Sequence, residues 1–381
     1  MMLFKLAWRN VFRNKRRTLI TMAMVALAVF LAICMRSMQL GTYDQMIDGL
    51  VKYSTGYVRV SPVDYQTDPD INNPMVAANA LPQNTSTIGI KAASNRVETM
   101  MYASCHGQGA PVQILGIDVE TESDLLGFTE NLVDGEHLNA NDHAIYIGTG
   151  LAKKMELEVG DSLIVQGQGY RGSIAVDKLP IKGIIKINNP VVSEMLVYAP
   201  ISVVRKILDL PNEFASYQAI HLKKASKMKT VQQNLKNQLD TIKVDVMNWQ
   251  EMNPELYQGI QGDAVGGLVI VSILYLIIAF GIFSTILMMT TERQYEFGVL
   301  LSIGMKRLKL GFMVILEILF ICLMGLVLGA LLAFPLVYYV HLNPIEFGGQ
   351  AAASMKDMGF EPAMFTTIDF NVTLTQALLW C

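Results

Sequence analysis

The stretch that decides the fold covers residues 264–309, AVGGLVIVSILYLIIAFGIFSTILMMTTERQYEFGVLLSIGMKRLK. It begins with an uncharged apolar run, Ala264–Met289, longer than the roughly 20 residues that cross a hydrocarbon core about 30 Å thick. We therefore predict a transmembrane helix over residues 263–290. The next segment mixes acidic and basic residues with apolar ones, which is typical of a short amphipathic helix outside the bilayer. Because a second apolar run follows at once, residues 291–310 are predicted to form the tip of a helical hairpin.

Composition places the chain among membrane proteins. Its 381 residues are 52% hydrophobic and 17% charged, and the length allows two or three domains. The net charge is −3 and the basic residues are grouped at a few points, so we expect no nucleic-acid partner. Of four cysteines only Cys105 lies in a hydrophilic region, which excludes a disulfide within that region. Cys105 and His106 could begin a metal site, but no second Cys/His cluster lies nearby in sequence, and a buried thiol is favoured.

The N-terminus carries a second membrane signal. Residues 1–17 hold six basic residues around an apolar stripe at helical spacing, made of Phe4, Trp8, Val11 and Phe12. This pattern is typical of an interfacial amphipathic helix on the cytoplasmic side. The apolar run Leu19–Met35 follows, and we predict the first transmembrane helix over residues 18–39. The alternative is a signal peptide. An uncleaved span is favoured, because the run is longer than a typical signal core and residues 34–38 do not form a small-residue cleavage site.

The basic clusters predict the topology. Basic residues beside a span stay in the cytoplasm, so the N-terminus is inside and residues 40–262 lie outside. The second span returns the chain to the cytoplasm, where the basic residues of the hairpin tip agree with the same rule. A third span is predicted over residues 311–340, followed by an external loop over 341–372. Residues 373–381 begin another apolar stretch, which we interpret as the start of a truncated fourth helix.

The external region mixes strand-like and helix-like segments. Strands are predicted at residues 56–60, 112–117, 144–147, 162–165 and 179–185, and helices at 150–157, 201–208 and 228–239. The predicted fold class is therefore an α-helical membrane protein. A large α+β extracytoplasmic domain is inserted between its first and second transmembrane helices.

No catalytic motif is found. The sequence has no phosphate-binding loop, no His-Glu-x-x-His and no Gly-x-Ser-x-Gly. Asp118, Asp134 and Asp161 stand at turn-like places near glycine, where turn chemistry explains them. We expect no catalytic residue, no cofactor and no metal, and therefore no enzyme activity in this chain.

Two features of the membrane region are candidates for function. Glu317 is the one acid inside the third apolar run, where an ionisable group is a functional candidate. It lies about two turns beyond Lys309, near the cytoplasmic interface, so pairing with a Lys or Arg is the favoured interpretation. The hairpin tip keeps apolar residues between charged ends. Its surface suits docking into a groove of a cytoplasmic protein or lying on lipid, and physical reasoning leaves both open.

Several segments of the sequence resemble those of a known family. The segment 291–307, TERQYEFGVLLSIGMKR, between two long apolar runs, resembles the signature of the FtsX-like permeases, which include the MacB and lipoprotein-releasing ABC transporters. Several further stretches are similar to the N-terminus and to the MacB-like periplasmic core of that family, namely residues 6–18, 134–136, 150–161, 179–185 and 246–251.

The resemblance implies a partner and a location. Such permeases have four spans, pair with a second permease subunit as a homodimer or heterodimer, and are served by a separate ABC ATPase subunit in the bacterial inner membrane. Their large domain is periplasmic and moves when the ATPase closes. The tip would be the coupling helix that contacts the ATPase, carried here by Glu292, Arg293, Glu296, Phe297, Gly298, Gly304 and Met305.

The substrate is inferred from the branch of the family. Residues 55–60 look more like the lipoprotein-releasing branch, which implies release of lipoproteins or lipids from the membrane. A candidate acyl-chain surface consists of Met35, Met38, Leu40 and Met46, whose other interpretation is ordinary helix packing. The alternatives are efflux of drugs or peptides with an adaptor and an outer-membrane channel, or regulation of cell-wall enzymes without transport.

Overall fold

The computed structural model describes residues 2–13, 15–76, 89–240, 242–350, 352 and 362–368. The chain divides into two compact units. The helical unit comprises Met1–Asp44, Gln258–Phe347 and Ala363–Cys381. The sheet unit comprises Gln45–Tyr257 and Gly348–Pro362.

The described helices and strands follow in chain order. The helices are α1 (Met2–Arg13), α2 (Lys15–Leu50), α3 (Val119–Leu126), α4 (Phe128–Asn131), α5 (Thr149–Met155), α6 (Pro190–Ser193), α7 (Ile201–Ile207), α8 (Met228–Gln238), α9 (Trp249–Met252), α10 (Pro254–Glu292), α11 (Gln294–Ser302) and α12 (Arg307–Leu342). The strands are β1 (Val58–Pro62), β2 (Met75–Val76), β3 (Ile90–Cys105), β4 (Gln108–Ile117), β5 (Leu132–Gly135), β6 (Ile145–Gly148), β7 (Ser162–Gln168), β8 (Ile174–Ile185), β9 (Leu196–Pro200), β10 (Phe214–Ala215), β11 (Tyr217–Leu222), β12 (Val244–Asn248), β13 (Ile345–Glu346) and β14 (Ala363–Met364).

Three helices of the described chain are long and apolar enough to cross a membrane. They are α2 with 36 residues, α10 with 39 and α12 with 36. At 1.5 Å per residue each is roughly 54–59 Å long, well beyond a hydrocarbon core of about 30 Å. The segment predicted to begin a fourth span, residues 373–381, lies outside the described residues.

Small residues bring α2 and α12 together. A Cβ atom added at Gly325 would lie 2.8 Å from the Cβ of Val25, and one at Gly329 would lie 2.5 Å from the carbonyl oxygen of Ala26. Both distances are shorter than van der Waals contact, so a larger residue at either position would push the helices apart. Val29 packs in the apolar cluster that fills this contact.

Residues 366–367 connect helices α2 and α12 through hydrogen bonds. The backbone of Thr367 exchanges hydrogen bonds with Ser37, since Ser37 Oγ donates to the Thr367 carbonyl at 2.5 Å and the Thr367 amide donates to the Ser37 carbonyl at 3.1 Å. Thr366 Oγ1 donates to the Val337 carbonyl at 2.9 Å. The segment thus ties α2 to α12.

The sheet unit is built on one ten-stranded mixed sheet. The strand order is β12-β1-β11-β3-β4-β9-β6-β8-β5, and β7 pairs with both β3 and β8. The pairs β4–β9 and β6–β8 are parallel. Helices α5 and α7 contribute Leu151 and Val204 to one apolar cluster, and the rings of Phe128, Tyr146 and Tyr198 centre a second. This architecture is the α+β domain expected from sequence.

Three acids singled out in the sequence have turn or cap roles. Asp118 caps α3, since its carboxylate accepts from the amides of Glu120 and Thr121. The Asp134 carboxylate accepts from the Gly135 amide at 2.8 Å, and that of Asp161 accepts from the Glu158 amide at 2.8 Å. Their predicted turn chemistry is confirmed.

Candidate functional site: the helical hairpin tip

The tip of the helical hairpin is a separate short helix. Helix α10 ends at Glu292, Arg293 breaks the helical geometry, and α11 follows from Gln294 to Ser302. Gly304 has φ +100°, and the amides of Gly304 and Met305 donate to the carbonyls of Leu301 and Leu300 at 3.0 and 3.1 Å. This pair of bonds is a Schellman cap, which requires a left-handed residue and therefore favours glycine. The tip is accordingly a defined helix with fixed ends.

A buried ion pair anchors the tip to α12. Arg293 Nη1 donates to both carboxylate oxygens of Glu317, at 3.1 and 3.0 Å. The two residues are 6% and 1% exposed. The guanidinium also lies over the ring of Phe297, 5.4 Å from its centroid. The predicted partner for Glu317, a basic residue near the cytoplasmic interface, is thus Arg293, which lies 24 positions earlier in the chain.

The ion pair continues to the N-terminal helix. Arg293 Nε also donates to Glu296 at 3.1 Å, and Glu296 in turn accepts from Arg13 at the end of α1. A second bridge joins Arg17 on α2 to Glu292 at the end of α10. The hydrogen bond from Arg13 is the largest influence on the Glu296 carboxyl and lowers its pKa, and Arg293 acts in the same direction. One charged network therefore joins α1, α11 and α12, and a separate bridge joins α2 to α10.

The apolar residues of α11 divide between two faces. Phe297 and Leu300 pack inward, against a cluster that contains Ala7, Met313 and Leu316. Outward-facing residues are Tyr295, Val299 and Ile303, with 86%, 41% and 79% of their surface exposed. Their spacing of four residues places them on one side of the helix. Val299 and Ile303 are thus available to a partner on this face, Leu301 and Leu308 are exposed elsewhere on the tip, and Phe297 and Leu300 are occupied within the chain.

A groove borders this outward face. It has a volume of about 410 Å³ between α1 and α11. Its lining includes Asn10, Arg13, Tyr295, Glu296, Val299 and Met305. Its charged wall is the Arg13–Glu296 pair. Among the predicted coupling residues, Gly298 and Gly304 have no atom within 4 Å of an added Cβ, so both backbones are open to solvent.

The candidate acyl-chain residues do not form one surface. Met35, Met38, Leu40 and Met46 all lie on α2 and all are partly exposed. At 100° per residue, Met35 and Met38 share a face, whereas Leu40 points about 200° away from Met38. Met46, eleven positions after Met35, returns to within about 20° of its direction, so Met35, Met38 and Met46 share a face and Leu40 lies outside it.

Sequence reasoning missed Tyr295 and the basic partners Arg13 and Arg17. Tyr295 stands in the quoted motif, and its position four residues before Val299 could have marked it. Arg13 and Glu296 are 283 positions apart, and Arg17 and Glu292 are 275 apart, so no local pattern reports these contacts.

Cys105 is a buried thiol. It is 8% exposed, and burial raises the pKa of its thiol. A buried, protonated thiol suits core packing rather than metal binding.

Comparisons with known proteins assign the family. A model of the MacB-like periplasmic core domain matches residues 18–238, and a model of the FtsX-like permease C-terminal region matches residues 268–379. The chain is similar to an uncharacterised ABC transporter permease, YvrN, of Bacillus subtilis (strain 168). The two are 24% identical over 360 residues, which cover 87% of this chain and 85% of that protein.

It is also similar to the lipoprotein-releasing system transmembrane protein LolC of Neisseria meningitidis serogroup B (strain ATCC BAA-335 / MC58). The identity is 23% over 296 residues, which cover 76% of this chain and 69% of that protein.

Solved structures of single domains align with part of the chain. The extracellular domain of the noncanonical ABC-type transporter YknZ aligns with 14% identity and a TM-score of 0.34, covering 50% of this chain and 99% of that one. The periplasmic region of MacB from Actinobacillus actinomycetemcomitans aligns with 13% identity and a TM-score of 0.36, covering 56% and 95%. The assignment rests on the two family models, of which the first spans more than half of the sequence. The chain belongs to the family of ABC transporter permeases with a MacB-like periplasmic core domain and an FtsX-like C-terminal region.

Proposed function

We propose that this chain couples ATP hydrolysis on a separate ATPase subunit to movement of its extracytoplasmic domain. The observation that carries the proposal is the construction of the hairpin tip. Tyr295, Val299 and Ile303 face outward, while the buried Arg293–Glu317 pair fastens the same helix to α12. A helix that is exposed on one face and anchored on the other suits the transfer of force from a docked partner.

Continuous helices support transmission from the tip. Helix α10 is unbroken from Pro254 to Glu292, and α12 is unbroken from Arg307 to Leu342. A displacement of α11 would act on α12 through Glu317 and on α1 through Arg13. The predicted coupling residues thus take two roles. Glu292, Arg293, Glu296 and Phe297 hold the tip, while Gly298, Gly304 and Met305 lie at the surface that receives the partner.

Orientation and assembly follow the same proposal. We propose that the N-terminus and the tip lie in the cytoplasm, the sheet unit in the periplasm and the helices in the bacterial inner membrane, and the basic residues of α1 and of the tip support this orientation. A second permease subunit completes the transporter, as a homodimer or a heterodimer.

For the substrate we propose lipoproteins or lipids released from the membrane. The similarity to LolC, a lipoprotein-releasing system transmembrane protein, and the partly exposed Met35–Met38 pair support this choice. Efflux of drugs or peptides through an adaptor and an outer-membrane channel is the alternative, as is regulation of cell-wall enzymes. Mass spectrometry of the complex purified in mild detergent separates these: acylated proteins support release, whereas an adaptor or a cell-wall hydrolase contradicts it.

The docking role is tested by charge insertion on the outward face. The variant Tyr295→Asp/Ile303→Asp should lower co-purification of the ATPase subunit at least about tenfold, because two charges would be buried in an apolar contact. The matched control is Ile174→Asp/Val176→Asp, which changes two exposed apolar residues of the sheet unit, 87% and 57% exposed. Equal retention of the ATPase by both variants would overturn the proposal.

A further inference from the structure

The helical unit has a second concavity, formed by α1, α2 and α12. It has a volume of about 480 Å³, and its lining is entirely apolar. The residues that define its length are Trp8, Met22, Phe320, Leu323, Val327 and Leu331. From Phe320 to Leu331 the groove follows α12 for roughly 16 Å, about half the thickness of a hydrocarbon core. One acyl chain of a single leaflet has this length.

Aromatic rings indicate where one end of the groove lies relative to the membrane surface. Phe4 and Trp8 on α1 contact Phe320 edge to face, with ring centroids 4.9 and 5.3 Å apart. Trp8 remains 46% exposed. Tryptophan prefers the boundary between headgroups and acyl chains, so this end of the groove opens at the headgroup level.

Two basic residues stand close to Trp8 on α1. Lys5 and Arg9 stand four positions apart on α1, on either side of Trp8 in sequence, and both are exposed. Across residues 2–13, 15–76 and the other described ranges, neither forms an ion pair. The neighbouring Arg13 and Arg17 instead pair with Glu296 and Glu292. Lys5 and Arg9 are therefore the cations of α1 that remain available to a negative headgroup.

We propose that this groove binds an anionic phospholipid of the cytoplasmic leaflet. One acyl chain lies along α12 against Val327 and Leu331, and the phosphate interacts with Lys5 and Arg9. Charge selects the ligand, because a zwitterionic lipid would fill the groove equally well but gain less from two cations. Helix α1 also carries Arg13, which binds Glu296 of the tip, so a bound lipid would hold α1 and with it one contact of α11.

The site is tested by fluorescence of Trp8. In the full chain, Trp249→Phe and Trp380→Phe leave Trp8 as the one tryptophan of the three in the sequence. The protein is reconstituted into phosphatidylcholine vesicles that contain a small mole fraction of phosphatidylglycerol or phosphatidylcholine brominated near the headgroup end of one acyl chain. We expect brominated phosphatidylglycerol to quench Trp8 several-fold more strongly than brominated phosphatidylcholine.

Two variants identify the source of the selectivity. Lys5→Gln/Arg9→Gln should remove the difference between the two lipids. Lys15→Gln/Arg16→Gln removes the same charge from the exposed start of α2 and should keep the difference. A filling change, Val327→Phe, should weaken quenching by brominated phosphatidylglycerol.

Three results would overturn the site. Equal quenching by the two lipids identifies ordinary boundary lipid, and equal losses in both charge variants identify non-specific attraction. Absence of quenching by either lipid means that no lipid occupies the groove. The lipid site rests on the membrane orientation given under the proposed function. It does not depend on coupling to the ATPase subunit. Retention of the ATPase subunit by the same variants therefore separates failure of the lipid site from failure of coupling.

Discussion

Among the described residues, each unit contains one buried arginine–glutamate pair, and the two pairs differ in what surrounds them. In the sheet unit, Arg96 on β3 binds Glu122 on α3 through Nε at 3.0 and 3.1 Å and through Nη2 at 2.5 Å. Both side chains are 0% exposed. In the helical unit, Arg293 binds Glu317 at 3.0 Å, with side chains 7% and 2% exposed.

The partners of the first pair are buried, which we call a closed pair. The partners of the second pair continue to exposed residues, which we call an open chain of ion pairs. The Glu122 carboxylate also accepts a hydrogen bond from buried Ser94, so both described partners of this carboxylate lie in the interior. Arg293 continues to Glu296, whose side chain is 45% exposed, and Glu296 continues to Arg13, which is 49% exposed. A closed pair contributes to the stability of one fold, whereas an open chain of pairs connects the interior to a surface. The comparison predicts different consequences for breaking each pair.

The largest effect is expected from Glu122→Ala. It leaves the Arg96 guanidinium buried without its carboxylate, which costs about 3–5 kcal/mol of the free energy of unfolding of the sheet unit. Amide exchange of residues 90–105 in the full chain measures this loss. The double variant Arg96→Met/Glu122→Leu should recover most of it, because well-packed apolar residues replace a buried pair at little cost. A double variant as unstable as Glu122→Ala would show that the pair has a role beyond charge balance.

A smaller loss is expected from Glu317→Gln. Arg293 keeps Glu296 as a partner, so the cost falls to about 1–3 kcal/mol, the range for one underpaired buried group. The measurable result is a lower thermal midpoint together with reduced ATPase turnover in the complex with the ATPase subunit. Glu296→Gln is the matched control, since it removes an exposed acid from the same arginine and should change the midpoint less. A larger change of the midpoint in Glu296→Gln than in Glu317→Gln would mean that the exposed ion pairs contribute more to stability than the buried one.

The stability of the sheet unit is expected to depend on pH through His221. His221 on β11 is 6% exposed, and burial, aided by Arg96 and Lys91, lowers its pKa to about 3. Between that value and the ordinary value of 6.5 the unfolded chain binds more protons than the folded chain, so stability falls with falling pH. From about pH 7 to pH 5.5 the loss is about 1 kcal/mol. Comparing exchange of residues 217–222 at the two pH values with that in His221→Gln measures it, and an unchanged slope in the variant would refute the assignment.

The smallest effect on stability is expected from breaking the exposed Arg13–Glu296 pair. Arg13→Gln removes a surface pair worth below about 1 kcal/mol and should loosen α1 without unfolding the helical unit. The change Arg13→Lys should keep much of the contact, because it retains the positive charge that faces Glu296. Because the pKa of Glu296 is lowered in the folded state, the pair is fully present above the ordinary carboxyl value and is lost as pH falls through the folded value. Spin-label distances between α1 and α11 report both changes.

Sequence patterns were most informative where one physical force dominates. The apolar runs predicted all three long helices of the described chain, because the bilayer demands length and hydrophobicity irrespective of neighbours. Strands β4, β6, β7 and β8 and helices α5, α7 and α8 were also predicted, with ends that shifted by a few residues. Strand β3, the longest at 16 residues, was missed. Its polar residues include Arg96, and it is a strand because β4, β7 and β11 pair with it.

The sequence by itself determined the membrane helices, the mixed character of the inserted domain, the position of the hairpin tip and its closing glycine. All of these depend on hydrophobicity, local spacing or one backbone conformation, which neighbouring residues encode. Only the tertiary structure decided which residues of the tip face outward, that Glu317 pairs with Arg293, and that α1 meets the tip through Arg13. Those contacts join residues up to 283 positions apart, and burial and charge pairing over such separations depend on how the helices pack.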